Sequence, residues 1–315
     1  MSTLHRASGR TRLGLMLSLV TALCWATLPV ALKVTLQVLD PLTLTWFRFL
    51  VAALLTLAWL GARGRLVGLG ALGRRGWTLL GIAAVMLVGN YVFYLLGVGR
   101  TSPGNAQLLI QLAPLLMAVG GIVVFGERFR AAQWLGMALL VGGLGLFFRD
   151  QLVHVDATPG HGDAHTYLVG SLLVILGAVV WAVYALAQKQ LLVKLGSMQI
   201  LAVIYVAATL LLWPFAHPSH LANLDGVQWM LLAYCALNTV VAYGAFAEAL
   251  AHWEASRVSA VLAMTPLLCL GVVAAVHSLW PAMLAPEPMS MVGWIGALLV
   301  VAGSTAVSLL GRRRT

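Results

Sequence analysis

Acidic side chains are scarce in this chain: nine Asp and Glu stand against 19 Lys and Arg in 315 residues. Charged residues of both signs make up 9% of the composition, against about 25% in ordinary soluble proteins, which excludes a water-soluble globular fold. The three cysteines (Cys24, Cys235, Cys269) all fall inside apolar runs without metal-ligand spacing, and they read as small buried residues. No Gly-x-x-x-x-Gly-Lys-Ser/Thr loop is present, so this chain does not itself use ATP. No His-Glu-x-x-His set or nucleophile–base pair stands on the apolar runs, so neither an enzyme nor a cofactor site is expected. Alternating segments of about 10 residues, the mark of a membrane β-barrel, are also missing.

What is present is apolar sequence: 61% hydrophobic residues and a mean hydropathy of +0.96. Runs of about 20 apolar residues recur along the whole length, each enough to cross a hydrocarbon core about 30 Å thick. The fold class expected is an all-α integral membrane protein with ten transmembrane helices. Their approximate spans are 13–36, 42–61, 77–99, 102–125, 131–148, 167–187, 197–215, 228–250, 256–280 and 290–310. The first run is too long for the core of a signal peptide and reads as a retained helix. Residues 149–166 form the longest polar interruption. Its His154, His161, His165, Asp156 and Asp163 are irregularly spaced, so a solvated linker is expected there and no metal site.

The net charge of +10 is scattered over short connections, which argues for topology and against nucleic-acid binding. With the N-terminus inside, alternate connections carry 15 Lys and Arg on the cytoplasmic side and 3 on the other, with Arg48 inside the second span. The positive-inside rule then puts both termini in the cytoplasm.

The chain also echoes itself. Gly14, Trp25-Ala26 and Lys33 return as Gly170, Trp181-Ala182 and Lys189, each shifted by 156 positions. Asn90 has a counterpart in Asn238, and Pro114-Leu-Leu in Pro266-Leu-Leu. Trp134-x-Gly136 with Gly143 matches Trp294-x-Gly296 with Gly303. Five spans per half is an odd number, so the second half is expected upside down relative to the first: an inverted repeat of 13–148 and 167–310, joined by 149–166. That arrangement belongs to secondary transporters, with substrate at the interface of the halves.

Trp25 and Trp181 in the leading helices, together with the series Pro114, Gly126-Glu127 and Trp134-x-Gly136, resemble the EamA-type members of the drug/metabolite transporter superfamily. The resemblance runs from about 13 to 310. It implies a carrier of the bacterial cytoplasmic (inner) membrane with a central cavity, working by alternating access. Most characterised members export amino acids and related metabolites; sugar, nucleotide-sugar and drug carriers belong to the same superfamily. A non-transporting scaffold is the remaining alternative. The second half departs from the pattern, with His277-Ser-Leu-Trp280-Pro281 where the Gly-Glu elbow would stand.

Polar groups inside lipid each require an explanation. Gln107 and Gln111 lie at i and i+4 on one face and form either a cavity wall or an interhelical contact. Asn90 with Tyr94, and Asn238 with Tyr243, are candidates to face each other across a cavity, or to pack helices. Trp25, Trp181 and Tyr184 offer stacking surface or bulky packing. Glu248 reads as a proton carrier, which would make protons a coupling partner, or as the partner of Arg257. Arg48 reads as the holder of a substrate carboxylate or as a helix-end contact. Pro114, Glu127 and Pro266 are expected to be structural. The partners expected are a small-molecule substrate and the lipid bilayer, for a monomer or homodimer.

Overall fold

The computed structural model describes residues 10–64, 72–125, 131–154, 163–192, 194–253 and 255–310. Glu127 lies outside them, as do Asp156 and His161. Among the described residues the chain is helical and without strands. Its helices are α1 (Thr11–Thr35), α2 (Pro41–Ala62), α3 (Arg74–Arg100), α4 (Pro103–Leu109), α5 (Leu112–Phe125), α6 (Ala131–His154), α7 (Ala164–Leu191), α8 (Ser197–Leu212), α9 (Gly226–His252), α10 (Ala255–Leu262), α11 (Thr265–Leu279) and α12 (Met291–Leu310). Among the described residues, eight candidate spans are long and apolar enough to cross a membrane, one of them (Ala260–Leu279) running through the break between α10 and α11. Met291–Val307 is a shorter apolar helix. At least half of each span's apolar window stays unburied, as expected of helices whose outer faces meet hydrocarbon.

The scarce acids are placed at helix starts. Asp40, Asp163 and Asp225 are the N-caps of α2, α7 and α9, each accepting backbone N–H groups of the first turn that have no intrahelical partner. Polar composition misplaces one boundary. Residues up to His154 continue α6 beyond the expected end at 148, because Asp150 and Gln151 are buried against the connection preceding α12. Asp150 accepts from Ser290 N (3.1 Å) and the Ser290 hydroxyl, and Gln151 donates to Pro288 O (3.1 Å).

The expected spans 102–125 and 256–280 are each broken. α4 gives way to α5 at Ile110–Gln111, and α10 to α11 at Ala263–Met264. The echoed prolines follow these breaks, in the first turn of the second segment, where a missing N–H costs least. The carbonyls four residues earlier still find donors. Ala113 N bonds Ile110 O (2.9 Å) ahead of Pro114, and the Thr265 hydroxyl bonds Leu262 O (2.5 Å) ahead of Pro266.

Packing is dominated by four helix pairs: α6 with α12, α3 with α7, α1 with α9, and α2 with α8. In the first of these the backbones touch. A Cβ on Gly136 would stand 2.9 Å from Gly303 O, and one on Gly143 would stand 2.6 Å from Gly296 O. The echoed Trp-x-Gly and glycine positions are thus the two sides of one seam, where small residues let membrane helices approach closely.

Candidate substrate site

The second helix carries Arg48 on the side turned to α9, with 3% of its surface exposed. Its Nε donates to Cys235 O (3.2 Å) and to the Thr239 hydroxyl (3.3 Å), and its Nη2 donates to the same hydroxyl (3.2 Å). The guanidinium lies 4.7 Å from the centre of the Tyr91 ring, on its face. Tyr91 is in turn packed on Phe49, with ring centres 4.6 Å apart, and Phe49 lies 5.9 Å from Tyr205. No carboxylate among the described residues forms an ion pair with Arg48.

Around this arginine the structure gathers several expected site residues. The ring of Tyr243 neighbours Tyr91 and Trp181, and meets Trp25 edge-on at 5.7 Å. Trp181 and Tyr184 meet edge-on at 6.4 Å, with Tyr184 buried. Trp25, Trp181, Tyr184 and Tyr243, from α1, α7 and α9, therefore form one aromatic cluster leading to Arg48. Tyr205 and Thr239 complete it. Thr239 stands beside the expected Asn238 in the sequence, whereas the signal of Tyr205, a tyrosine in an apolar run, is too common to single it out.

The remaining expected residues lie around the cluster with other partners. Gln107 is buried in α4, and its Oε1 accepts from the Tyr94 hydroxyl (3.3 Å). Gln111, at the α4–α5 break, is buried and makes no side-chain hydrogen bond among the described residues. Asn90 and Asn238 do not face each other. Asn90 Nδ2 donates to Gly177 O on α7 (3.0 Å), and Asn238 Nδ2 donates to Cys24 O on α1 (2.8 Å). Each ties α3 or α9 to a neighbouring helix backbone, an interhelical bond of the kind that steadies membrane bundles. Pro114 is exposed and Pro266 buried, both just after the helix breaks.

Glu248, the expected proton carrier or partner of Arg257, lies on the outer side of α9. Its side chain is 62% exposed and contacts His252 Nε2 at 3.0 Å, one turn further along α9. The buried carboxylate is Glu287, in the Pro-containing connection between α11 and α12. It accepts from Gly104 N (3.1 Å), Asn105 N (3.0 Å) and the Ser102 hydroxyl. Burial pushes its carboxyl above the ordinary range, against the opposing pull of those bonds and of Lys33. Lys33 itself donates to Val98 O (3.1 Å), Gly99 O (2.9 Å) and Thr101 O (2.6 Å) at the end of α3. One end of the bundle, opposite the start of α1, is thus cross-tied by polar contacts. A groove of about 400 Å³, lined by Asp40, Arg100 and His220 among others, lies at that end.

The EamA-like transporter family matches the chain over residues 12–149 and again over 168–309. An "Uncharacterized inner membrane transporter YhbE" of Escherichia coli (strain K12) is 36% identical over 302 residues, covering 96% of this chain and 92% of that protein. A "Probable amino-acid metabolite efflux pump" of the same organism is 23% identical over 300 residues, covering 91% of this chain and 92% of that protein. A solved crystal structure has the same fold, with a TM-score of 0.63 over 96% of this chain and 100% of the other, at 23% identity. With its apolar helices and buried polar and aromatic centre, the chain belongs to the EamA-like transporter family.

Proposed function

We propose that this protein is a secondary transporter of the bacterial inner membrane that exports a small organic metabolite, of the amino-acid class, by alternating access. The observation that carries the reading is the cluster of Arg48, Tyr91, Trp181 and Tyr243, from four helices amid apolar spans, with Arg48 and Tyr91 buried and Trp181 and Tyr243 half-buried. A bundle that served only as scaffold would gain nothing from enclosing a cation there, because burying a charge is costly. The export direction and substrate class draw on the printed name of the amino-acid metabolite efflux pump.

In this reading the bundle is two inverted five-helix repeats, 13–148 and 167–310, with α4–α5 and α10–α11 each counted as one interrupted span and both termini in the cytoplasm. Two observations support it. The family matches the chain twice. The packing also survives exchange of the halves: α1 on α9 mirrors α7 on α3, while α2 with α8 and α6 with α12 pair like with like. The end tied by Lys33 and Glu287 then faces away from the cytoplasm. Interrupted helices near a midplane site are a recurring feature of such carriers.

The test is transport itself. Cells overproducing the protein are expected to tolerate toxic amino-acid analogues at several-fold higher concentration, and vesicles containing it to release preloaded amino acids faster than empty ones. Unchanged tolerance together with unchanged release across the amino acids would overturn the proposal.

A further inference from the structure

The acid shortage of the chain has a consequence at Arg48. Of the nine acidic residues, Glu127, Asp156 and Glu254 lie outside the described residues. The other six are all engaged elsewhere. Asp40, Asp163 and Asp225 cap helices, Asp150 holds Ser290, Glu248 holds His252, and Glu287 holds the start of α4. Arg48 is 3% exposed and, among the described residues, its guanidinium is met by a carbonyl, a hydroxyl and a ring face. These offset part of the cost of burying the charge and leave it uncompensated. The two contacts also use one edge of the guanidinium, that of Nε and Nη2. Nη1 has no hydrogen-bond partner among the described residues, so the terminal edge, made by Nη1 and the second N–H of Nη2, is open to a planar, two-oxygen acceptor.

Resting on the transport reading, we propose that Arg48 binds the carboxylate of the substrate, and that the carrier is specific for monocarboxylates, amino acids included. The missing counter-charge is brought by the cargo. One buried cation matches one negative charge; Lys33 is committed to three carbonyls and adds none to the site. The rings of Trp25, Trp181 and Tyr243 take the body of the molecule. An α-ammonium group finds ring faces and tyrosine oxygens there.

The experiment compares acids with their amides, which keep the shape and lose the charge. Full-length protein in liposomes is assayed by isotope exchange of the proteinogenic amino acids, with L-phenylalaninamide and L-leucinamide among the amide competitors. Wild type is expected to take the acids, with the amides competing at least ~10-fold more weakly, the scale of a charged hydrogen bond. Arg48→Gln is expected to lose that discrimination and Arg48→Lys to keep part of it, since the charge remains while the planar fork is lost. Size-exclusion profile and melting temperature establish that each variant is folded. Amides that compete as well as acids, or an Arg48→Gln carrier that still prefers acids, would overturn the assignment of Arg48 while leaving transport standing. Folded wild type that exchanges neither acids nor amides would overturn both.

Discussion

Single side chains here carry unequal burdens because so few are charged. Asp40 shows what one acid does at a helix start. Burial draws its carboxyl upward, but the bonds from Thr43 and Leu42 and the nearby His217 more than offset that, and it sits below the usual carboxylate range. A lowered value in the folded state means the stabilisation is full above the unfolded value and is lost as pH falls through the folded one. Replacing Asp40 by Ala is expected to cost about 1 kcal/mol through the lost cap, measured by thermal melting in detergent. Asp40→Asn is expected to keep most of that stability and to lose its acid sensitivity. Equal melting of wild type and the Ala variant at neutral pH would remove Asp40 as a cap that matters. Arg48 is the opposite case, a charge with no acid of its own among the described residues, and its meaning comes from what surrounds it.

At the scale of elements, the seam between α6 and α12 decides how closely the helices pack. Gly143 faces Gly296 O at 2.6 Å and Val300 N at 2.7 Å from where a Cβ would stand, and both are backbone atoms that cannot turn aside. Gly143→Ala is therefore expected to destabilise the fold by about 1–3 kcal/mol through overpacking. Gly142 and Gly145 lie on the same helix with nothing within 4 Å of a built Cβ. Alanine at either is expected to be neutral or to stabilise by about 0.5–1 kcal/mol, since glycine loses more freedom on entering a helix. Melting curves of the three variants side by side test this, and a Gly143→Ala protein as stable as the other two would refute the seam. The same glycines were legible in the sequence as an echo. That the two halves of the echo touch each other was not, because periodicity says nothing about which helices become neighbours. Likewise the prolines were visible, but the breaks ahead of them depend on where the freed carbonyls find donors, at Ala113 N and the Thr265 hydroxyl.

For the whole molecule, the tie between Glu287 and the start of α4 joins the α11–α12 connection to the turn after α3. With its carboxyl raised by burial, the folded protein holds the Glu287 proton more firmly than the unfolded chain does. Between the ordinary carboxylate value and the raised one, the folded state binds more protons, so this residue's contribution to stability falls as pH rises through that window. Glu287→Gln is expected to remove that slope, giving a flatter melting-temperature profile from acid to neutral pH. Glu287→Ala is expected to destabilise at every pH by leaving the Ser102 hydroxyl and Gly104 N without their acceptor. A Gln variant whose pH profile overlays wild type would show that Glu287 does not titrate in that range. The sequence points to Glu248, within a helix, and not to a carboxylate in a Pro-containing connection. Linear position does not reveal that a connection folds inward over the end of the bundle.

By itself the sequence determined the membrane class, the positions of the apolar helices to within a turn or two, and the family. Those follow from how much apolar surface each stretch carries and from the spacing of a few glycines, prolines and tryptophans. Only the tertiary structure decided which polar groups are spent on packing and which stay open. Asn90 and Asn238 have the same composition signal as a binding site, yet each is bonded to a helix backbone. Arg48 has one edge of its guanidinium without a partner among the described residues. The difference lies in the partners that neighbouring helices bring within about 3 Å, and those are set by packing between segments far apart in the chain.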